Sequence, residues 1–406
     1  MNKILSIYIL LCLFIFCFVG DFIAGITGAY YIRFLSFLGF CFFFLLYVYR
    51  EKSVHLLRIT ICIVLVCIFY IQMRHNTECF SAFFTILLGY LLFREREYSY
   101  KILDYLFIIQ FILALTELIF SQHLYTDTVM GVFNAQVVDG ENLVKTVSME
   151  GFRPKGLFPG SLIAVSFNIY YSLLNHKSKR RTGWAFLLSL ILNGRLGMII
   201  TGVTFLLHYR KSFIYSRRAR LRIIAIVSVI CIIVSVVVAN NPNVALKFER
   251  TVNVFNTEEA SNVGRLFSYG LAAETYLSYN TKEKLFGGEY ELYNELGQVI
   301  SAESDLLGML LEYGLVGASI YVIAIMILLF KEYNNESFWN NGKMMALLTL
   351  FAYLEYRHAT GSGRGSLFWM LFFVNYYECY PTYQYCNNNY LLRFFFTNRN
   401  SELEII

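Results

Sequence analysis

Apolar residues occur along this chain in long runs that short polar segments separate. One helix needs about 20 consecutive, mostly apolar residues to cross a bilayer, so the pattern predicts about twelve membrane-spanning helices. Their predicted positions are 4–20, 28–48, 56–73, 80–93, 102–120, 157–174, 183–194, 196–208, 222–239, 306–330, 344–357 and 366–380. The predicted fold class is an all-α polytopic integral membrane protein, in which residues 1–406 form a single transmembrane helical domain.

Two adjacent runs, 183–194 and 196–208, are each short for a complete span. Asn193, Gly194 and Arg195 separate them, and Asn and Gly are residues that interrupt helices. This polar break predicts a tight turn or a broken helix near one membrane face.

The composition excludes a soluble protein and a large separate catalytic domain. The chain is 57% hydrophobic and 15% charged, whereas ordinary globular domains are about 45–50% apolar and about 25% charged. Spans of about 20 residues leave room for one modest loop domain, but not for a nucleotide-binding or catalytic cytosolic domain. The nine cysteines include no CxxC spacing, and most lie in apolar runs. We therefore expect them to pack against apolar neighbours rather than to bind zinc or form disulfides.

Most Lys and Arg residues fall in one set of alternating loops, which predicts that this side is cytoplasmic. Both termini are then cytoplasmic, including a tail at 381–406. The outer loop at 121–156 and the large periplasmic loop at 240–305 face the other side. The net charge of +6 follows from these orientation signals, so it does not indicate a nucleic-acid partner. Membrane lipids are the expected surroundings.

The large periplasmic loop has predicted structure of its own. Val244, Phe248, Val252 and Phe255 recur at helical spacing with charged residues between them, which indicates a helix lying at the membrane surface. A second helical stretch is predicted from Arg265 to Tyr279, and a turn follows.

Arginines near the ends of spans on the predicted outer face are candidates for ligand binding. The positive-inside tendency disfavours them there, and guanidinium groups bind phosphate oxygens bidentately while remaining charged. Several that converge on one outer cavity would fit a lipid-linked diphosphate. The alternative is that each side chain reaches lipid head groups or pairs with a nearby acid. These arginines are Arg153, Arg195, Arg265, Arg357 and Arg364.

Two acids, Glu303 and Asp305, stand at the outer start of the tenth predicted span. A carboxylate there is a candidate general base for a sugar hydroxyl. The alternative is an N-terminal helix cap, because Ser, Asp and Glu favour the first turn, and this alternative applies most to Ser304 and Asp305. Glu312 lies deeper in the same span, where a structural hydrogen bond is the expected role.

The sequence gives little support for a metal site or for a phosphate-binding loop. His75, His123 and His358 face outward in the predicted topology, but no pair has metal-ligand spacing. The glycines at 361, 363 and 365 lack the strand and the Lys-Ser/Thr ending of a phosphate loop, so we expect a flexible outer turn. No metal and no cofactor are predicted.

Together, these outer segments resemble the O-antigen polymerase (Wzy-type) and O-antigen ligase superfamily of bacterial inner-membrane glycosyltransferases. The similarity covers about 150–317, and its individual motifs are short, although their order and topology agree with the family. The chain differs at Pro159-Gly160-Ser161, where the family usually has Asn-Pro-Asn. The segments that carry the resemblance are Arg153-Pro154-Lys155-Gly156-Leu157-Phe158, Asn193-Gly194-Arg195, Gly264-Arg265-Leu266, Phe286-Gly287-Gly288, Glu303 to Asp305, and Leu311-Glu312-Tyr313-Gly314-Leu315-Val316-Gly317.

The resemblance implies a GT-C-like architecture in the bacterial inner membrane and metal-independent, inverting transfer at its periplasmic face. The growing glycan would leave undecaprenyl diphosphate and join a hydroxyl of the next lipid-linked repeat unit. Our hypothesis assigns the diphosphate contact to Arg195 and Arg265, with Arg153 and Arg357 in support, and the acceptor proton to Glu303 or Asp305. A chain-length regulator and a flippase are the protein partners that the resemblance implies.

Two other functions stay open. Ligases of this superfamily usually have a His near the position of Glu303, and no His lies between His208 and His358, which favours the polymerase branch. A transporter or flippase places charged or broken-helix sites at the bilayer midplane, often in related halves. Here few charges lie at mid-span and no repeat is evident.

Overall fold

The computed structural model describes residues 2–28, 31–51, 54–74, 78–120, 124, 154–158, 160–192, 194–207, 217–218, 221, 260–288, 292–293, 299–300, 304–330 and 362–378. Most of these residues are helical, and short loops and a two-stranded sheet of two-residue strands, β1 (Leu292–Tyr293) and β2 (Val299–Ile300), make up the rest. The helices are α1 (Asn2–Phe14), a π-helix (Ile15–Val19), α2 (Gly20–Thr27), α3 (Tyr31–Glu51), α4 (Val54–Arg74), α5 (Glu78–Arg94), α6 (Arg96–Phe120), α7 (Ser161–Leu174), α8 (Lys179–Leu192), α9 (Arg195–Leu206), α10 (Ala260–Ser278), α11 (Thr281–Phe286), α12 (Asp305–Phe330) and α13 (Ser362–Glu378).

The prediction of a helical chain is confirmed in its coarse form, and apolar helices support the prediction of a membrane protein. Within the described residues, three helical segments are long and apolar enough to cross a membrane: Leu56–Met73, Arg96–Phe120 and Leu306–Ile327. Shorter apolar segments occur at Ile4–Val19, Phe34–Arg50, Phe83–Arg94, Ile163–Leu174, Leu196–Leu206 and Gly365–Val374. Several predicted segments lie outside the described residues: the apolar runs at 222–239 and 344–357, the tail at 381–406, and the outer loop except for Leu124 and residues 154–156. The number of spans and the side of each terminus remain predictions.

The first predicted span continues further than its apolar run. The π-helix at Ile15–Val19 joins α1 to α2 without a gap, and the helical stretch ends only at Gly28. Gly28 has a φ of +71°, and its backbone nitrogen donates to the carbonyl of Ala24 at 2.8 Å. A left-handed glycine of this kind is a common helix terminus.

The described residues form two compact units. One unit contains those of Met1–Asp104, Ala272–Val299 and Ser304–Ile406, and the other contains those of Tyr105–Leu271 and Ile300–Glu303.

In the first unit, α13 packs closely along α5. A Cβ atom on Gly89 would lie 2.8 Å from the carbonyl oxygen of Ser366 and 2.9 Å from the nitrogen of Met370. Glycine at this position therefore lets the two backbones approach, as small residues do between helices in membranes. Tyr321 of α12 packs on the same helix, with its ring centroid 5.2 Å from that of Trp369.

In the second unit, a buried polar cluster links α7, α8 and α9. The amide nitrogen of Asn168 donates to the carbonyl of Ala185 at 2.8 Å and to the hydroxyl of Ser189 at 2.7 Å. The Thr201 hydroxyl donates to the same Ser189 oxygen at 2.9 Å. Polar groups between apolar helices need such partners because lipid and apolar side chains supply none. The cluster therefore ties the three helices together.

Candidate functional site

The structure places the backbone of four predicted site residues. Arg195 is the first residue of α9, Arg265 lies in α10, Asp305 is the first residue of α12, and Arg364 lies in the first turn of α13. The structure does not describe the side chains of these four residues. Three further predicted site residues lie wholly outside the described part of the chain: Arg153, Glu303 and Arg357. The convergence of the arginines on one cavity therefore remains a prediction.

The segment before α7 is a loop held by a buried carboxylate at the end of α6. Glu117, whose side chain is fully buried, accepts hydrogen bonds at Oε2 from the backbone nitrogens of Lys155 at 2.7 Å and Gly156 at 2.9 Å. Its Oε1 accepts from the nitrogen of Leu124 at 3.0 Å. A carboxylate that accepts several backbone N–H groups forms charge-assisted bonds, which are roughly twice as strong as neutral ones. The conformation of residues 155–156, two residues after Arg153, is thereby fixed.

A second buried side chain of α6 holds the same loop. Gln110 accepts from the nitrogen of Leu157 at 2.7 Å and donates to the carbonyl of Lys155 at 3.2 Å. Gly156 has a φ of +59°, and a Cβ atom there would lie 2.6 Å from Oε1 of Gln110. Glycine is thus required at this position both by its backbone conformation and by the close approach of Gln110.

The sequence prediction missed Gln110 and Glu117. Both residues lie inside an apolar run, and this placement could have identified them. Polar and ionisable residues at membrane depth are rare, so each one is a candidate for a functional or structural role. Their separation of seven residues puts them on one face of α6.

The predicted break at 193–195 is confirmed. The structure has α8 ending at Leu192 and α9 beginning at Arg195, after Gly194 in an extended conformation. A Cβ atom on Gly194 would lie 2.5 Å from Cγ2 of Val165 in α7. The glycine therefore allows the break to pack directly on α7, and this contact fixes where the backbone of Arg195 enters its helix.

The turn after α11 packs on a kink in α12. Gly314 interrupts α12 with a φ of +64° and a ψ of −171°. The Gly287 turn, with a φ of +84°, lies against this kink: a Cβ atom on Gly314 would lie 2.5 Å from the nitrogen of Gly287, and one on Gly287 would collide with the backbone of Glu312. Two segments that carry the family resemblance, far apart in sequence, are therefore in backbone contact.

Backbone groups near the kink find partners outside the helix. Gly288 donates its backbone nitrogen to the carbonyl of Leu311 at 2.9 Å. The hydroxyl of Tyr70, in α4, donates to the carbonyl of Tyr313 at 3.2 Å. A kink interrupts the helical hydrogen-bond ladder, and carbonyls at membrane depth are tolerated only when other groups bond them. The turn and Tyr70 supply these bonds.

The helical stretch predicted from Arg265 to Tyr279 is confirmed as α10, although it begins earlier, at Ala260. The helix predicted around Val244–Phe255 lies outside the described residues. The short α11 that follows begins with a capping box, in which Asn280 and Glu283 each accept the other's backbone N–H at 3.0 Å.

The start of α12 agrees with the helix-cap interpretation as far as its backbone is described. Ser304 precedes the helix, is buried, and accepts at its carbonyl from the nitrogen of Gly308 at 2.9 Å. Ser304 thus occupies the cap position, and Asp305 is the first helical residue. Glu312 is half-buried and lies two residues before the kink at Gly314.

Among the described residues, no group of three His, Cys, Asp or Glu side chains lies close enough together to hold a metal ion. Comparisons of the chain with family models, with curated proteins and with solved structures found no match.

Proposed function

We propose that this chain is a membrane glycosyltransferase that polymerises oligosaccharide repeat units linked to undecaprenyl diphosphate. The product is an O-antigen or a related surface polysaccharide, and transfer takes place at the periplasmic face of the bacterial inner membrane. The proposal extends the coarser finding that the chain is helical and has helices apolar enough for a membrane.

The observation that supports this proposal most is that the segments of family resemblance have tightly constrained backbones. Glu117 and Gln110 hold the loop at 155–157, Gly194 packs on Val165, and Gly287 contacts the kink at Gly314. An enzyme that must hold charged side chains in a fixed geometry requires such rigid supports. Candidate residues Arg153 and Arg195 adjoin two of these constrained segments in the sequence.

The proposed reaction is a single displacement at the anomeric carbon. The acceptor hydroxyl oxygen forms a bond to that carbon, while the bond from the carbon to the diphosphate oxygen breaks with inversion. The acceptor proton passes to the carboxylate of Glu303 or Asp305. Negative charge grows on the departing undecaprenyl diphosphate, and Arg195 and Arg265, supported by Arg153, Arg357 and Arg364, stabilise it without a metal ion.

Substitution of Arg265 tests this assignment. Loss of one group that stabilises transition-state charge typically lowers the rate by about 10²–10³-fold, so Arg265→Ala should abolish long chains on ladder gels of the surface polysaccharide. Arg265→Lys should restore part of the activity, because the charge returns without the bidentate geometry. Arg217→Ala, at an exposed helical position on the predicted cytoplasmic side, is the control. An unchanged ladder for Arg265→Ala at equal expression contradicts the assignment.

A deletion strain separates the polymerase from the ligase alternative. Loss of a polymerase leaves lipid A–core carrying a single repeat unit, whereas loss of a ligase leaves core without any repeat. We expect the single-repeat phenotype.

A further inference from the structure

An open groove of about 610 Å³ lies beside the first turns of α8. Its lining combines two cationic side chains, Lys179 and Arg180, with the apolar and aromatic side chains of Trp184, Leu187 and Phe205. Both cations are exposed, and Trp184 is 48% exposed. A surface that offers cations next to hydrocarbon matches a ligand with an anionic head and an apolar tail.

Glycines bring α8 and α9 close together and shape this groove. A Cβ atom on Gly183 would lie 3.1 Å from Cε2 of Phe205, and one on Gly202 would lie 3.1 Å from Cε2 of Phe186. The two phenylalanine rings stack with their centroids 6.2 Å apart and their planes at 8°. These two packed rings form part of the apolar wall of the groove.

The segment of sequence that contains the groove carries charge of one sign. Four of the five residues from 177 to 181 are basic, and no Asp or Glu occurs between Glu150 and Glu249. This stretch of sequence thus contributes positive charge to the groove and contains no acid of its own. The positive-inside rule predicts the cytoplasmic side for this end of α8, where the leaflet itself is negatively charged and attracts basic segments.

We infer that this groove is a binding site for an anionic glycerophospholipid. The phosphate contacts Lys179 and Arg180, and an acyl chain lies along Trp184, Leu187 and Phe205. Trp184 supports a position of the groove at the level of the lipid head groups, because the amphipathic ring of tryptophan favours that level. The inference does not depend on the proposed glycosyl transfer, since it uses only the groove, its charge and the membrane surroundings.

Fluorescence of Trp184 tests the site in the full-length protein. The protein is reconstituted in vesicles that contain either phosphatidylglycerol or phosphatidylcholine with brominated acyl chains, each over the same series of mole fractions. Subtraction of the signal from a Trp184→Phe variant isolates this residue. Brominated phosphatidylglycerol should quench Trp184 at lower mole fraction than brominated phosphatidylcholine. In the double variant Lys179→Gln/Arg180→Gln, the preference should fall roughly thirty-fold, because each basic residue near the surface contributes about 1 kcal/mol.

The matched control is Arg217→Gln/Arg218→Gln, a second pair of exposed basic residues on the predicted cytoplasmic side, which should keep the preference. Equal quenching by the two lipids would overturn the inference, and so would an equal loss in the two double variants. Displacement of phosphatidylglycerol by an equimolar polyprenyl phosphate would also overturn it, because the groove would then select an isoprenoid lipid.

Discussion

Glu117 accepts the backbone N–H of Lys155 at 2.7 Å, across 38 residues of sequence. This bond joins the end of α6 to the loop that follows Arg153, and the same carboxylate oxygen also accepts from Gly156. A buried carboxylate is costly unless backbone or side-chain donors stabilise it. Glu117 and the loop therefore stabilise each other, and the loop geometry depends on both acceptor oxygens of this side chain.

We expect Glu117→Gln to loosen this loop. Glutamine keeps one acceptor oxygen but turns an NH₂ group toward backbone N–H donors. Hydrogen bonds to a charged group contribute about 1.5–3 kcal/mol, and the free energy of unfolding in detergent should fall by a similar amount. A local measurement is tryptic cleavage after Lys155, whose side chain is only 5% exposed in the native loop.

Cleavage after Lys155 should accelerate at least about tenfold in Glu117→Gln if opening becomes easier by about 1.4 kcal/mol. The control is Glu97→Gln, an exposed acid near the start of the same helix, which should leave cleavage at Lys155 unchanged. Equal protection of Lys155 in Glu117→Gln and the wild type would show that the carboxylate does not hold the loop.

The contact between Gly287 and Gly314 predicts two of the most damaging Gly→Ala substitutions in the described part of the chain. Each glycine has a positive φ, and each lacks room for a methyl group. Backbone strain of about 1 kcal/mol adds to a steric cost of about 1–3 kcal/mol, so either alanine should lower unfolding free energy by about 2–4 kcal/mol. Denaturant unfolding of the purified protein in detergent measures this change.

Substitutions at two other glycines distinguish the cost of backbone strain from the cost of steric clash. Gly28 has a φ of +71°, and no atom lies within 4 Å of the place that a Cβ would occupy, so Gly28→Ala should cost only the strain of about 1 kcal/mol. Gly270 lies inside α10, also with nothing within 4 Å, and Gly270→Ala should stabilise by about 0.5–1 kcal/mol. If Gly287→Ala cost no more than Gly28→Ala, the close contact with α12 would be contradicted.

The break before Arg195 should respond to a compensating pair of substitutions. Gly194→Ala places a methyl group against Val165 and should cost about 1–3 kcal/mol. In the double variant Gly194→Ala/Val165→Ala the space returns, so the two effects should couple by about 1 kcal/mol or more in the favourable direction. Unfolding free energies of the four proteins in this cycle give the coupling directly, and additive effects would contradict the contact.

The helices could be predicted from the sequence because long apolar runs carry their own signal, as in α4 and α6. Their ends were less predictable: the first helical stretch passes the polar Asp21 and stops only where Gly28 adopts a positive φ. Hydropathy describes the environment that a residue type prefers, whereas the end of a helix depends on backbone conformation.

The supports of the candidate site were the least predictable part. The bonds from Glu117 to residues 155–156 and the contact of Gly287 with Gly314 join segments that are distant in sequence. The residue types alone offered hints, a carboxylate inside an apolar run and a glycine inside a span, but a single sequence does not indicate which partner each one has.

The central claim is tested most directly by the activity of the purified protein in detergent. The assay contains only lipid-linked repeat units and a metal chelator. We predict a ladder of longer lipid-linked glycans with release of undecaprenyl diphosphate, and a rate about 10²-fold or more lower for Arg265→Ala. A folded wild-type protein that makes no ladder under these conditions, yet moves the lipid-linked unit across vesicle membranes, would contradict the account.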